Sequence, residues 1–220
     1  MVAAVSDPTH PPFAPGHEPG EPRGVTSPAR SLLPGRLRRR VAAFDEQVDR
    51  GFDHLRGRRL PDRIFYVASE LGDFGLIWHL IAVARGLRGG RFEREAVRVP
   101  TILGAESILV NGLIKSFFRR TRPMWDQPRA YRIRRPRSSS FPSGHASSAM
   151  TAAAVLGEHD PLVPLYYAAG AVVAASRVYV KIHHASDVVA GVATGLLLGR
   201  LFRRLWPATP PAEWDRPETG

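Results

Sequence analysis

SRVYVKIHHASDVVAGVATGLLLGRLFRRL, residues 176–205, reads as the end of one apolar helix, a short polar turn, and a second helix long enough to enter or cross a membrane. The second helix closes on Arg200, Arg203 and Arg204, side chains that can snorkel to a headgroup layer. Gly191, Gly195 and Gly199 recur every four residues, which lines one face with small side chains and lets a neighbouring helix approach closely. Upstream, further apolar segments lie at 64–84 (interrupted by Glu70, Gly72 and Asp73), 99–118, 145–156 and 162–180. Several fall short of the roughly 20 apolar residues a full span prefers. The expected fold is all-α: an integral-membrane bundle of about five to six helices.

Before the bundle, Val41, Phe44, Val48, Phe52 and Leu55 recur at three- to four-residue intervals among charged residues. That spacing predicts an amphipathic helix within 37–60, lying on the membrane surface or on a flank of the bundle. Residues 1–36 carry proline after proline and few large apolar groups, so a disordered tail is expected. They also lack a basic start followed by an apolar run, so insertion is expected to come from the later helices. The membrane domain is read as 61–206, with 207–220 as a second disordered tail.

The formal net charge is +11, from 31 Lys and Arg against 20 Asp and Glu. The cations gather between apolar runs, at 36–40, 85–98, 115–137 and 200–204, and no DNA- or RNA-binding module accompanies them. Membrane lipids are therefore the expected partners and nucleic acid is not. With no cysteine, disulfides and thiolate chemistry are excluded.

Three stretches place charge and imidazole at helix ends, where such groups are costly and invite a functional reading. In the first, Lys115 and Arg122 stand seven apart, two turns along one helical face, before Pro123 ends the helix. Taken alone this could be a basic membrane flank. In the second, Pro142, Ser143, Gly144 and His145 lead into an apolar helix, where free N–H groups and the helix dipole favour an anion. Taken alone this could be a capping turn. In the third, Arg177 ends one apolar run and His183 and Asp187 open the next, four apart; the carboxylate can fix one imidazole nitrogen and leave the other as a nucleophile. His145, His183, His184 and Asp187 could instead bind a metal, but Lys115, Arg122 and Arg177 would repel a divalent ion and suit phosphoryl oxygens.

Lys115, Arg122 and Pro123; Pro142, Ser143, Gly144 and His145; and Ser176, Arg177, His183 and Asp187, in that order and spacing, resemble the signature of the type 2 phosphatidic acid phosphatases. That superfamily is shared with vanadium haloperoxidases. The resemblance covers residues from about 60 to 205. It implies a helical bundle with the three motifs at one membrane face, His183 as nucleophile, Asp187 orienting it and His145 protonating the leaving oxygen. Lys115, Arg122, Ser143, Gly144 and Arg177 would hold the phosphate, with no metal and no cofactor.

The function so implied is a membrane phosphatase hydrolysing a lipid phosphomonoester or a polyprenyl (pyro)phosphate through a phosphohistidine. The apolar helices count against a haloperoxidase, whose relatives are soluble. A phosphotransferase using another acceptor than water stays open, and so does a headgroup-binding module, although headgroup binding needs neither a nucleophile nor its carboxylate. The resemblance places the site on the extracytoplasmic face, consistent with Arg at 85–98 and 200–204 inside. The arginines at 129, 132, 134, 135 and 137 run against that placement or serve to attract a polyanionic headgroup.

Overall fold

The computed structural model describes residues 34–124, 131, 136 and 138–208. The two expected tails and the arginines at 129, 132, 134, 135 and 137 lie wholly or almost wholly outside the described residues. Among the described residues there is no strand. The chain forms α1 (Gly35–Asp53), α2 (Arg59–Leu71), α3 (Leu76–Gly86), α4 (Arg91–Ser107), α5 (Gly144–Leu156), α6 (Val163–Tyr179) and α7 (Ala185–Leu205). This is the expected all-helical bundle.

α2 and α3 are one apolar segment broken by 66° at Gly72–Gly75. Phe74 (φ 53°) and Gly75 (φ 68°) both take left-handed backbone there. Glycine does so freely, but phenylalanine must be held in it by its surroundings. α4 continues through a wide π-type turn, Ile108–Leu113, and a 3-10 turn, Ile114–Phe117, giving one helical run from Phe92 to Phe117. That run and α7 are long and apolar enough to cross a membrane, and the bent α2–α3 pair is a third candidate. The segments at 145–156 and 162–180, expected to span the membrane or be buried in it, form α5 and α6 with 13 and 17 residues. At about 1.5 Å per residue, α5 extends about 20 Å, less than a bilayer core.

α5 compensates for its length by its position. Nearly every residue in it is buried, and its Ala, Ser and Gly side chains allow α6 and α7 close approach. The glycine face of α7 meets it directly: a Cβ built on Gly191 would stand 2.4 Å from the Ser143 carbonyl oxygen, and one on Gly195 2.2 Å from that of Ser147. Trp78, Val99, Ile102, Leu103, Val155, Leu156 and Val173 fill the layer between α3, α4, α5 and α6.

The far end of the bundle is closed by ion pairs. Arg85 reaches Glu95 (2.8 Å), Asp160 (2.6 Å), the Leu156 carbonyl (3.0 Å) and the Tyr166 hydroxyl (2.9 Å). Arg98 pairs with Glu158 and donates to the Trp206 carbonyl (2.8 Å). α1 docks on the flank of the bundle, with Val48 and Phe52 against the α6–α7 cluster, while Leu37 and Phe44 stay exposed.

Candidate active site

Ser143 caps α5: its hydroxyl accepts weakly from Ala146 N (3.5 Å) and its own N–H donates to the Asp187 carbonyl (3.0 Å), so the start of α5 is pinned to the first turn of α7. Gly144, the first helical residue, lies against the Asn111 side chain, whose oxygen a Cβ there would meet at 2.5 Å. The same Asn111 Oδ1 accepts from Lys115 Nζ at 2.8 Å. Asn111 sits in the π-type turn, so that widened turn carries the lysine to the start of α5.

His183 lies before α7, in the turn after α6, and is not on the α7 helical face as its four-residue spacing from Asp187 suggested. Its backbone N–H donates to the Arg177 carbonyl (3.0 Å). Arg122 Nη1 donates to His183 Nε2 at 3.2 Å and to the Ile182 carbonyl at 3.0 Å, while its Nη2 reaches the carbonyls of Ser138 and Ser139. An arginine can only donate, so this contact assigns His183 the tautomer with its proton on Nδ1. Nδ1 faces Asp187 Oδ2 at 3.8 Å, beyond hydrogen-bond length, so the carboxylate acts on the ring through its charge. Burial pushes the imidazole down to about 3, with Arg122 and Arg177 adding to the shift and Asp187 opposing it. His183 is therefore neutral at ordinary pH.

The helix that carries Lys115 ends at Phe117 and Phe118 is extended, so Lys115 and Arg122 do not share a helical face. They come together because the chain turns back. Lys115 lies within electrostatic reach of both Arg122 and Arg177. Arg177 donates to the Ser69 hydroxyl and, at 3.4 Å, to its carbonyl, and its buried Nε has no hydrogen-bond partner.

The structure thus brings together all eight residues singled out in the sequence, and adds partners that the sequence did not assign. His145 Nε2 contacts Asp73 Oδ1 at 2.6 Å, and the His145 ring packs beside Gly72. Asp73 is delivered by the break between α2 and α3; its only sequence signal was a charge next to glycine in an apolar run. Asp187 is held by Ser140 Oγ, His184 N (2.9 Å) and Arg120 Nη1 (2.6 Å). Arg120 in turn pairs with Asp45 of α1 (2.6 Å). Asp45 was legible only as an acid in phase with the apolar stripe through Val41, Val48 and Phe52.

Residues 95–210 match the model of the PAP2 superfamily. The chain is 33% identical over 137 residues to a decaprenylphosphoryl-5-phosphoribose phosphatase of Mycobacterium tuberculosis, covering 60% of this chain and 73% of that protein. Its fold is similar to that of a transmembrane PAP2-type phosphatidylglycerolphosphate phosphatase from Bacillus subtilis, with a TM-score of 0.60 and 23% identity over 79% of this chain and 88% of that one. The chain belongs to the PAP2 superfamily, and is a membrane protein and a phosphoric ester hydrolase.

Proposed function

We propose that this enzyme hydrolyses a lipid phosphomonoester or pyrophosphate, polyprenyl phosphates included, through a phosphohistidine on His183 and without a metal ion. One observation carries the proposal: Lys115 and Arg177 are buried beside His183 with only neutral hydrogen-bond partners, Asn111 and Ser69, among the described residues. Cations held this way suit an incoming phosphoryl group. The name of the mycobacterial relative describes a polyprenyl-linked sugar phosphate, which fits a substrate with a lipid tail.

In the first step the Nε2 lone pair of His183 attacks phosphorus in line. The P–N bond forms as the P–O bond to the lipid breaks, and His145, as the imidazolium that Asp73 and the bound phosphate charge favour against burial, gives one proton to the departing oxygen and ends neutral. Arg122 now contacts Nε2, and would exchange that contact for a phosphoryl oxygen. Lys115, Arg122 and Arg177, with the Ser143 hydroxyl and the Gly144 N–H at the start of α5, spread over the equatorial oxygens. Asp187 stabilises the charge that develops on the His183 ring, and Asp73 holds His145. In the second step His145 takes a proton from water, the water oxygen attacks phosphorus, the P–N bond breaks and phosphate leaves.

The test is turnover of a panel of lipid and water-soluble phosphates by purified wild type and His183→Ala, with and without chelator. Expected are preference for lipid phosphates, indifference to chelator and loss of release in the variant. Persisting hydrolysis by His183→Ala overturns the mechanism, and phosphate appearing on an added alcohol in place of water points to a transferase. We also place the site's end of the bundle on the extracytoplasmic face. Because the native chain has no cysteine, Met124→Cys and Arg204→Cys are unique labels; an impermeant thiol reagent on intact cells should reach the first only, and the reverse pattern inverts the topology.

A further inference from the structure

α1 lies outside the segment matched by the family model, yet it reaches the site. Its single buried residue is Asp45, the opposite of what an amphipathic helix normally buries. Asp45 Oδ1 accepts from Ser186 N at 2.7 Å, so a free amide in the first turn of α7 is capped from another helix. Asp45 Oδ2 accepts from the Ser186 hydroxyl at 2.9 Å and from Arg120 Nη2 at 2.6 Å. The other arm of the same guanidinium, Nη1, donates to Asp187 Oδ1 at 2.6 Å and to Ser186 Oγ at 2.8 Å. Both arms are committed, and a planar fork held at two points has one orientation.

We infer that Asp45 and Arg120 are positioning residues for the nucleophile: by holding Oδ1 of Asp187 they aim its Oδ2 at Nδ1 of His183. This role rests on the phosphohistidine mechanism proposed above. Oδ2 also receives Ser140 Oγ and His184 N, so Asp187 is gripped on both oxygens and has no freedom to rotate away from the imidazole. Arg120 is the partly exposed member of the chain of contacts. Without Asp45 it could swing into the cavity that it lines with Phe118, Arg119 and Arg122, leaving Oδ1 of Asp187 unmatched in a buried site. The N-terminal helix is in this sense a part of the active site.

A positioning role and a substrate contact predict different kinetics. If Arg120 acts through Asp187, its loss lowers kcat and leaves KM nearly unchanged; if it grips substrate in the ground state, KM rises. The experiment is steady-state hydrolysis of phosphatidate in detergent by the purified full chain and by Asp45→Ala, Asp45→Asn, Arg120→Ala, Arg120→Lys, the Asp45→Ala/Arg120→Ala double variant and His183→Ala. Asp45→Ala and Arg120→Ala should each lower kcat by roughly 10- to 100-fold, the scale of a misplacement approaching 1 Å. Arg120→Lys should recover part of the loss, and the double variant should be no worse than Arg120→Ala, because the two residues act in series. Should Asp45→Ala fail to fold, Asp45→Asn keeps an oxygen to accept from Ser186 N and sets an NH2 against Arg120 Nη2 and the Ser186 hydroxyl, so it disrupts the Arg120 pair and carries the same comparison. Wild-type kcat in the folded Asp45 variant, a loss confined to KM in Arg120→Ala, or additive losses in the double variant each overturn the inference. An active His183→Ala sinks the phosphohistidine mechanism itself. An inactive His183→Ala beside a fully active Asp45 variant sinks only the role of α1.

Discussion

Replacing Gly195 by alanine tests whether the α5–α7 contact sets the geometry of the site. In a helix with free space around it, glycine to alanine is worth about 1 kcal/mol of added stability. At Gly195 the space is not free. The new Cβ would lie 2.2 Å from the Ser147 carbonyl oxygen and 2.9 Å from Met150 Cβ, whereas real Cβ contacts essentially never fall below 3.0 Å. The obstacle is backbone, which cannot rotate away, so α5 and α7 must separate locally by at least about 0.8 Å. Overpacking of this kind costs about 1–3 kcal/mol, which outweighs the propensity gain. The same separation moves Ser143, Gly144 and His145 away from His183, and a shift near 1 Å costs on the order of 100-fold in rate. The contrasting site is Gly104 in α4, where a Cβ meets nothing within 4 Å. Thermal unfolding in detergent and kcat/KM on a lipid phosphate should show Gly195→Ala less stable and much slower, and Gly104→Ala no less stable and fully active. Equal behaviour of the two variants, in stability and in rate, would refute the close-packing account.

Three further outcomes follow from individual contacts. Arg85→Ala removes the guanidinium that pairs with the buried Glu95 and Asp160 and should cost about 3–5 kcal/mol in unfolding, while turnover per folded molecule stays near wild type, because these pairs lie at the end remote from His183. Asp73→Asn removes the charge that holds His145; the rate on a lipid phosphate should fall by roughly 100-fold, and much less on p-nitrophenyl phosphate, whose leaving group scarcely needs a proton. For pH, the unfolded chain binds a proton on His183 near 6.5 and the folded chain only near 3, so this group makes stability rise with pH across that window. Unfolding temperatures from pH 7 down to 4 should therefore fall less steeply for His183→Asn than for wild type.

The fold was largely legible because membrane helices announce themselves by composition. The stretch 145–156 became α5, 185–205 became α7, and the glycines at 191, 195 and 199 do face a close neighbour. The helix pattern misled at two places where local geometry departs from 3.6 residues per turn. The π-type turn at Ile108–Leu113 and the 3-10 turn after it end the helix at Phe117, which no residue near Arg122 signals. His183 precedes α7 because Asp187 folds back to accept from His184 N at the helix start. The eight candidate residues that the structure brings together could be picked out since each sits in a short motif. Their partners could not: Asp73 meets His145 and Asp45 meets Arg120 across 72 and 75 positions of chain, and a pairing at that distance leaves no local pattern.

The buried cations divide into two kinds, and the division separates what stabilises this bundle from what it does. Arg85 and Arg98 are surrounded by Glu95, Asp160 and Glu158, so their burial is matched by carboxylates and closes one end of the bundle. At the other end Lys115 rests on an amide oxygen and Arg177 on a serine, with an Arg177 donor left buried and unbonded. Burying a cation without a matching anion costs several kcal/mol, and a chain selected only for stability would place a carboxylate there. Carboxylates are in fact close at hand, Glu106 within electrostatic reach of Lys115 and Asp73 of Arg177, but their hydrogen bonds are made elsewhere: Glu106 with Ser147, Asp73 with His145, Asp187 with Arg120 and Ser140, Asp45 with Arg120 and Ser186. These cations, which no carboxylate touches directly, lie near a neutral imidazole whose Nε2 already receives Arg122, and next to the N–H groups at the start of α5. On the proposed mechanism a phosphoryl group supplies the anion in direct contact, so its binding relieves the cost at the same position where His183 would attack it.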